Sequence, residues 1–278
     1  MHAYLILAHN NFGVLKNLLK SLDIADNHIF LHIDKKAGNI TKYRFEECVK
    51  NARLILVPRQ NVKWGHSSQV DAELLLFETA FKSGNYAWYP LLSGVDCVLS
   101  DIRKINNFFD THSSTDGFME YEPAVGEKYL RMALFYFFPG NHSWLIGKIN
   151  AIQSRLGVDR WRKLNRLSVR PLMYGSTWCD LRPGAVKILL DKSKEIRGAV
   201  RMTSCANEVY KQTWLLDSGL EFVNNNLRYI DWSESLPNPK ILEESDYENM
   251  MSSGKFFARK LSESRSQSLI DCLNNDKK

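Results

Sequence analysis

The 278-residue sequence has no Cys-x-x-Cys pair, and its five cysteines (Cys48, Cys97, Cys179, Cys205, Cys272) are widely spaced and odd in number. This argues against a disulfide framework or a zinc knuckle and for reduced thiols. Neither Gly-x-Gly-x-x-Gly nor a Walker motif occurs, so a phosphate ligand here must be neutralised by Lys and Arg side chains. Asp-x-Asp is absent, and with it the usual carboxylate pair that holds Mg²⁺ or Mn²⁺ on a diphosphate. Gly-x-Ser-x-Gly is missing too, so Ser93-Gly94 is no nucleophile elbow. His9, His32 and His66 show no metal-like spacing and read as loop or core hydrogen-bonding groups. The opening Met1-His2-Ala3-Tyr4-Leu5-Ile6-Leu7-Ala8-His9 has no cationic leader and an apolar run too short for a signal-peptide core. The densest apolar stretch, Met132 to Phe138, is far short of the roughly 20 residues that cross a bilayer. A soluble cytoplasmic protein, peripheral on a membrane at most, is expected.

What is present is enough apolar residue, 44%, to bury one sizeable core. Ala3–Ala8, Ile29–Ile33, Arg53–Val57 and Tyr86–Leu92 read as strands. Between them, Val14, Leu18 and Leu22, and then Val70, Leu74, Phe77 and Phe81, recur at helical spacing, the second helix capped by Ser67 or Ser68. This alternation predicts an α/β fold with a parallel, mostly buried sheet. Ligands bind at the carboxyl ends of such strands, which puts His9, Asp34 and Asp96 on one rim. In the second half, Asp116–Tyr121, Leu172–Cys179 and Leu227–Asp231 read as strands. Ser143–Leu156, Pro183–Leu190 and Ser204–Leu216 read as helices, and the tail from Lys240 as helix and loop.

The formal charge of +6 suits phosphate-bearing partners, and it is concentrated. Lys148, Arg155, Arg160, Arg162, Lys163, Arg166 and Arg170, against Asp159 alone, account for the whole excess. Trp144, Leu145, Ile149, Ile152 and Leu156 share one face of the helix feeding this segment. The region 144–170 therefore suits either an anionic membrane surface or a core-facing helix with a solvated basic side.

Two further features carry chemistry. Phe256-Phe257-Ala258-Arg259-Lys260, with Lys240 upstream, could clamp a diphosphate or be a solvated basic surface. Glu208, about one turn into the helix after Thr203-Ser204, would be kept ionised by the helix dipole and so could accept a proton, or could merely complement that dipole. Glu120-Tyr121-Glu122 reads as a cation site or as a strand edge with solvated carboxylates.

Eight blocks in order are similar to glycosyltransferase family 14, the core 2 and I-branching β-1,6-N-acetylglucosaminyltransferases and peptide O-xylosyltransferases. They are Ala3-Tyr4-Leu5-Ile6 with His9; His32-Ile33-Asp34-Lys35-Lys36; Trp64-Gly65-His66-Ser67 with Val70-Asp71-Ala72; Leu92-Ser93-Gly94-Val95-Asp96; Gly175-Ser176-Thr177-Trp178; Asn207-Glu208; Arg228-Tyr229-Ile230-Asp231-Trp232; and Pro237-Asn238-Pro239-Lys240 through Phe257-Ala258-Arg259-Lys260. The resemblance implies one GT-A-like catalytic domain over 1–278, with a nucleotide-binding half at about 1–110 and an acceptor-binding and catalytic half at 111–278. It implies an inverting transferase that works without metal. Glu208 is then the general base, and Lys240 and Lys260 take the places of the basic pair on the UDP diphosphate, with Arg259 as helper. Relatives often carry Arg where Lys240 stands, and a Lys gives up the bidentate phosphate contact. His9 and Asp34 match the uridine site. Glu120, Lys128 and Arg131 resemble acceptor-binding residues, Trp232 an aromatic under an acceptor sugar, and Asp96 and Trp178 fall in blocks facing the donor or acceptor sugar.

The partners so implied are a UDP-sugar, carrying GlcNAc or xylose, and a glycan or lipid-linked oligosaccharide, with no nucleic acid. The animal members' anchor, stem and disulfides are not seen, so a minimal, bacterial-type form acting in surface polysaccharide synthesis is expected. A non-catalytic nucleotide-sugar or glycan-binding protein on the same fold is the alternative. A glycoside hydrolase would need a second carboxylate facing Glu208.

Overall fold

A computed structural model describes residues 1–137, 144–165, 170–234 and 238–275, the side chains of 163–165 excepted. The chain opens with β1 (His2–Ala8), α1 (Phe12–Ser21), β2 (Asn27–Ile33), β3 (Arg53–Leu56), α2 (Ser68–Ser83) and β4 (Tyr89–Ser93). Then follow β5 (Cys97–Val98), α3 (Ile102–Thr111), β6 (Gly117–Met119), β7 (Glu122–Pro123), α4 (Gly126–Ala133), α5 (Trp144–Arg155) and α6 (Val158–Asn165). Next come β8 (Met173–Tyr174), β9 (Cys179–Leu181), α7 (Pro183–Asp191), α8 (Ser193–Val200), α9 (Tyr210–Leu216), β10 (Phe222–Asn224) and β11 (Arg228–Ile230). The chain closes with α10 (Tyr247–Ser252), β12 (Phe257–Arg259) and α11 (Gln267–Asn275).

Seven strands form the main sheet in the order β10-β6-β9-β4-β1-β2-β3. β4, β1, β2 and β3 are parallel, as the alternating pattern predicts, while β9 runs antiparallel to both β4 and β6. Because side chains of a strand alternate in direction, β1 feeds two cores. Ala3 and Leu5 pack with Phe30 and α2, α7 and α9, whereas Tyr4 and Ile6 pack with Ile29, Leu31, α1 and α3. A third cluster joins Val14, Leu99, Ala258 and Leu261 to α10 and α11.

Four local expectations change. The single strand Leu172–Cys179 is two short strands: β8 pairs with β7, β9 enters the main sheet, and residues 175–178 cross between them. Gly175 makes that crossing possible, because a Cβ there would lie 1.8 Å from the Glu120 carbonyl oxygen. The helix Ser204–Leu216 is a 3₁₀ turn, Ala206–Glu208, followed by α9. The tail contains β12, whose partners β11 and β5 come from remote sequence. Neither serine caps α2 with its side chain, since Ser67 is already helical and the Ser68 hydroxyl accepts from the Lys63 amide instead.

The three-stranded sheet β11-β12-β5 carries the tail to the carboxyl ends of β1 and β4. Leu261 N donates to Val95 O at 3.0 Å, which pins the tail to the turn after β4. That turn sits tightly against β1, because a Cβ on Gly94 would lie 2.7 Å from the Ala8 Cβ.

Candidate active site

Two adjoining cavities, about 230 and 450 Å³, open where the strands end and share His9, Trp64, Gln69, Thr177, Trp178 and Asn207. The smaller runs between the ends of β1 and β2, with Asp34, Lys36 and Val62 on its wall. The Asp34 carboxylate accepts from Lys36 N at 2.9 Å and Val62 N at 3.4 Å, which binds the loops after β2 and β3 together. Burial and the nearby Lys260 ammonium lower the His9 pKa, so its imidazole is the neutral form near neutral pH. His32 is used structurally, its Nε2 accepting from Gln60 N at 3.1 Å.

Glu208 faces the larger cavity from the end of the 3₁₀ turn. Its side chain is 31% exposed, and Arg131 Nη1 donates to Oε2 at 3.0 Å. The Tyr174 hydroxyl sits beside the carboxylate and favours its ionised form, and the Glu208 carbonyl accepts from Gly175 N at 2.8 Å. Burial raises the carboxyl pKa, opposed chiefly by the Arg131 guanidinium. Desolvation and a specific cation, rather than a helix dipole, therefore set its proton affinity. A partly desolvated carboxylate held by one guanidinium, with a phenol beside it, is built to take up a proton.

Arg259 and Lys260 face Glu208 across the same cavity. Asp96 is wholly buried; it accepts from Ser93 N at 2.8 Å and from Arg259 Nε at 3.1 Å. The Arg259 guanidinium also lies 4.3 Å from the centroid of Trp178, so one face and one edge are fixed while its remaining donors are available to a ligand. Burial and the charge of Arg259 depress the Lys260 pKa. Lys240 is placed differently. Its ammonium bonds Asp246 at 2.6 Å, lies 3.9 Å from Asp231, and is outside the lining of both cavities.

Of the acceptor candidates, Glu120, Lys128 and Trp232 all border the larger cavity. Glu120 accepts from Asn226 Nδ2 at 3.0 Å, and Trp232 is 56% exposed. Lys128 pairs with Glu122 and lies over the Tyr174 ring, so Glu122 is committed to a neighbouring cation. Arg131 reaches the site through Glu208 itself. Pro237 lies outside the described residues.

Several buried contacts hold these groups in place and are invisible to spacing. Gln212 Nε2 donates to Ser176 O at 2.7 Å and Glu120 O at 3.3 Å, fastening residues 175–178 to β6. Asn207 Nδ2 donates to Thr177 Oγ1 at 2.7 Å. Beneath them Lys211 and Glu73 form a fully buried ion pair, to which the Tyr210 hydroxyl donates at 2.8 Å, while Lys211 also donates to Asn207 O at 3.2 Å. Arg228 and Asp180 form a second buried pair that ties β11 to β9. Trp64, Gln69, Tyr174 and Asn207 line the site without having been assigned roles. Trp64 and Asn207 do lie inside matching blocks, whereas no local pattern marks Tyr174, 34 residues from Glu208.

The basic segment is only partly a surface. Arg162 is completely buried, its guanidinium donating to the carbonyls of Leu134, Ala199 and Arg201. Arg170 pairs with Glu195 and Asp217. Arg166 and the Lys163 side chain lie outside the described residues. Trp144, Leu145, Ile152, Leu156 and Trp161 are exposed. Among the described residues, no helix is long and apolar enough to cross a membrane.

A model of the Core-2/I-Branching enzyme family matches residues 2–253. A xylosyltransferase of Ciona intestinalis is 22% identical over 98% of this chain, and the chain spans 33% of that relative's length. Among solved structures, mouse xyloside xylosyltransferase 1 in its apo form is 9% identical, covering 93% of this chain and 97% of that one with a TM-score of 0.40. The 1–349 fragment of S. aureus TarS is 12% identical, covering 81% of this chain and 58% of that one with a TM-score of 0.38.

Proposed function

The chain belongs to the Core-2/I-Branching enzyme family, and from that premise we propose that it is an inverting glycosyltransferase that moves xylose or GlcNAc from a UDP-sugar to a glycan hydroxyl. The name of the Ciona relative favours xylose. The observation that carries this reading is the meeting of a proton-accepting carboxylate, Glu208, with two cations, Arg259 and Lys260, across one cleft.

UDP enters the smaller cavity with its uridine toward His9 and Asp34, which puts the diphosphate against Arg259 and Lys260. The acceptor hydroxyl lies on Glu208. As its oxygen bonds the anomeric carbon, its proton passes to the Glu208 carboxylate and the bond from that carbon to the diphosphate oxygen breaks on the opposite face. The electron pair leaves with UDP, whose developing negative charge is met by the guanidinium and the ammonium. With these cations carrying that charge, transfer proceeds in EDTA. The acceptor is a surface polysaccharide or a lipid-linked oligosaccharide. The exposed Trp144, Leu145, Ile152 and Leu156 beside Lys148 and Arg155 support a peripheral stay on anionic lipid. Co-sedimentation with liposomes that rises with anionic lipid and falls with salt is the expected behaviour.

The deciding experiment is Glu208→Gln. Loss of a general base costs about 10²- to 10⁴-fold in rate. UDP affinity should stay within a few-fold, because the base touches the acceptor and not the nucleotide. Full UDP release by this variant would refute the assignment.

A further inference from the structure

Beyond Trp232 the cleft continues into an outer groove of about 450 Å³, bordered by Glu120, Asn224, Asn225, Asn226, Trp232 and Lys255. Glu120, Ile230 and Trp232 line both spaces, so the groove is an extension of the candidate active site rather than a separate pocket. Its chemistry differs from that of the inner cleft. Asn226 is fixed by donating to Glu120 Oε2 at 3.0 Å and accepting from Arg228 N at 3.0 Å. Asn225 Oδ1 accepts from Leu227 N and from Lys255 Nζ, both at 2.8 Å, and its own amide hydrogens meet no partner among the described residues. Lys255 is half-buried, and no carboxylate among the described residues pairs with it; its one side-chain partner is that neutral amide.

An exposed indole flanked by oriented amides and a carboxylate suits a sugar ring, which offers an apolar face to the aromatic and a rim of hydroxyls to the polar groups. A half-buried ammonium whose partner is neutral gains most from an anionic ligand, since both its charge and its remaining donors are then satisfied. We propose that this groove is a second saccharide subsite, and that the acceptor is an oligosaccharide whose residue beyond the reacting sugar carries an acidic group that pairs with Lys255. Glu120 takes hydroxyls at the junction of the two spaces, while the acidic group lies at the Lys255 end, which the inner cleft does not share. The inference rests on the transferase reading for the location of the reacting sugar, but saccharide binding can be measured without turnover.

The test is calorimetric titration of the UDP-loaded protein with trisaccharide glycosides that are neutral, or carry a uronic acid or a phosphate on the distal residue, beside the reacting monosaccharide glycoside alone. The acidic trisaccharides should bind about ten- to a hundredfold more tightly than the neutral one, as for a hydrogen bond to a charged group. That advantage should fade with added salt and vanish in Lys255→Gln, whose fold is checked by its unaltered thermal unfolding. The uronate and phosphate arms distinguish which acid the subsite takes. Equal affinity for neutral and acidic trisaccharides, or for the monosaccharide and the trisaccharides, would overturn the proposal, as would an undiminished preference in Lys255→Gln. Transfer to a monosaccharide acceptor with no trisaccharide preference would sink the subsite alone. Acidic trisaccharide binding without any UDP release would instead sink the transferase reading.

Discussion

Arg131 is the group on which the proton affinity of Glu208 turns, and replacing it with methionine removes the charge while keeping much of the side-chain volume. The guanidinium sits 3.0 Å from Oε2, with the two side chains 23% and 31% exposed. At an effective dielectric constant near 20, unit charges about 4 Å apart attract by about 4 kcal/mol. Solvent reaching a pair this exposed screens a good part of that, leaving about 1.5–2 kcal/mol. Losing that attraction should raise the Glu208 pKa further above a value burial has already raised. The base form exists above that pKa, so activity falls as pH drops through it. In Arg131→Met the acid limb of kcat/KM should therefore move to higher pH. Activity should return on the alkaline side, where the carboxylate is again ionised, and Arg131→Lys should restore most of the limb. UDP release measured across pH at saturating donor reads both. An acid limb that stays where it is in Arg131→Met, with activity reduced equally at every pH, would show that the arginine acts only on the acceptor.

Burial and Arg259 depress the Lys260 pKa, so its ammonium, and the UDP affinity that depends on it, is present at low pH and lost on the alkaline side. Lys260→Met should remove that alkaline dependence and weaken UDP by about tenfold or more in titration, as for a lost charge-assisted contact. Gly175→Ala would drive a Cβ into the Glu120 carbonyl; a cost of about 3 kcal/mol in denaturant unfolding is expected, with loss of activity because both Glu120 and the Glu208 backbone lean on that residue. Lys211→Met strands Glu73 as a buried unpaired carboxylate, with an expected loss of about 3–5 kcal/mol, while the double change with Glu73→Leu should recover most of it.

The N-terminal strands and helices, the α/β class and the rim residues His9 and Asp34 were legible because apolar periodicity and burial are local there. Strand ends followed by polar residues point to where a sheet's ligands sit. Glu208 was legible as a residue but not in its environment. A 3₁₀ turn replaces the expected helical turn, and the groups that tune the carboxylate, Arg131 and Tyr174, come from α4 and β8. Arg162 was counted with the surface cations, yet its guanidinium closes on three backbone carbonyls, an arrangement no charge count reveals.

The sequence by itself determined the periodic elements, the family blocks and the residue types able to accept a proton or meet a phosphate, because each is a property of short stretches of chain. Only the tertiary structure decided that Arg259 and Lys260 enter the cleft while Lys240 turns to Asp246 and Asp231. It also decided that Asp96 is a buried anchor for Arg259 and that the cleft runs on to Lys255. Those outcomes depend on β12 pairing with β5 and β11, across more than 150 and about 30 residues of chain respectively, and on which carboxylates that pairing brings within reach. Charge partners chosen through space set a side chain's role, and they leave no spacing in the sequence to read.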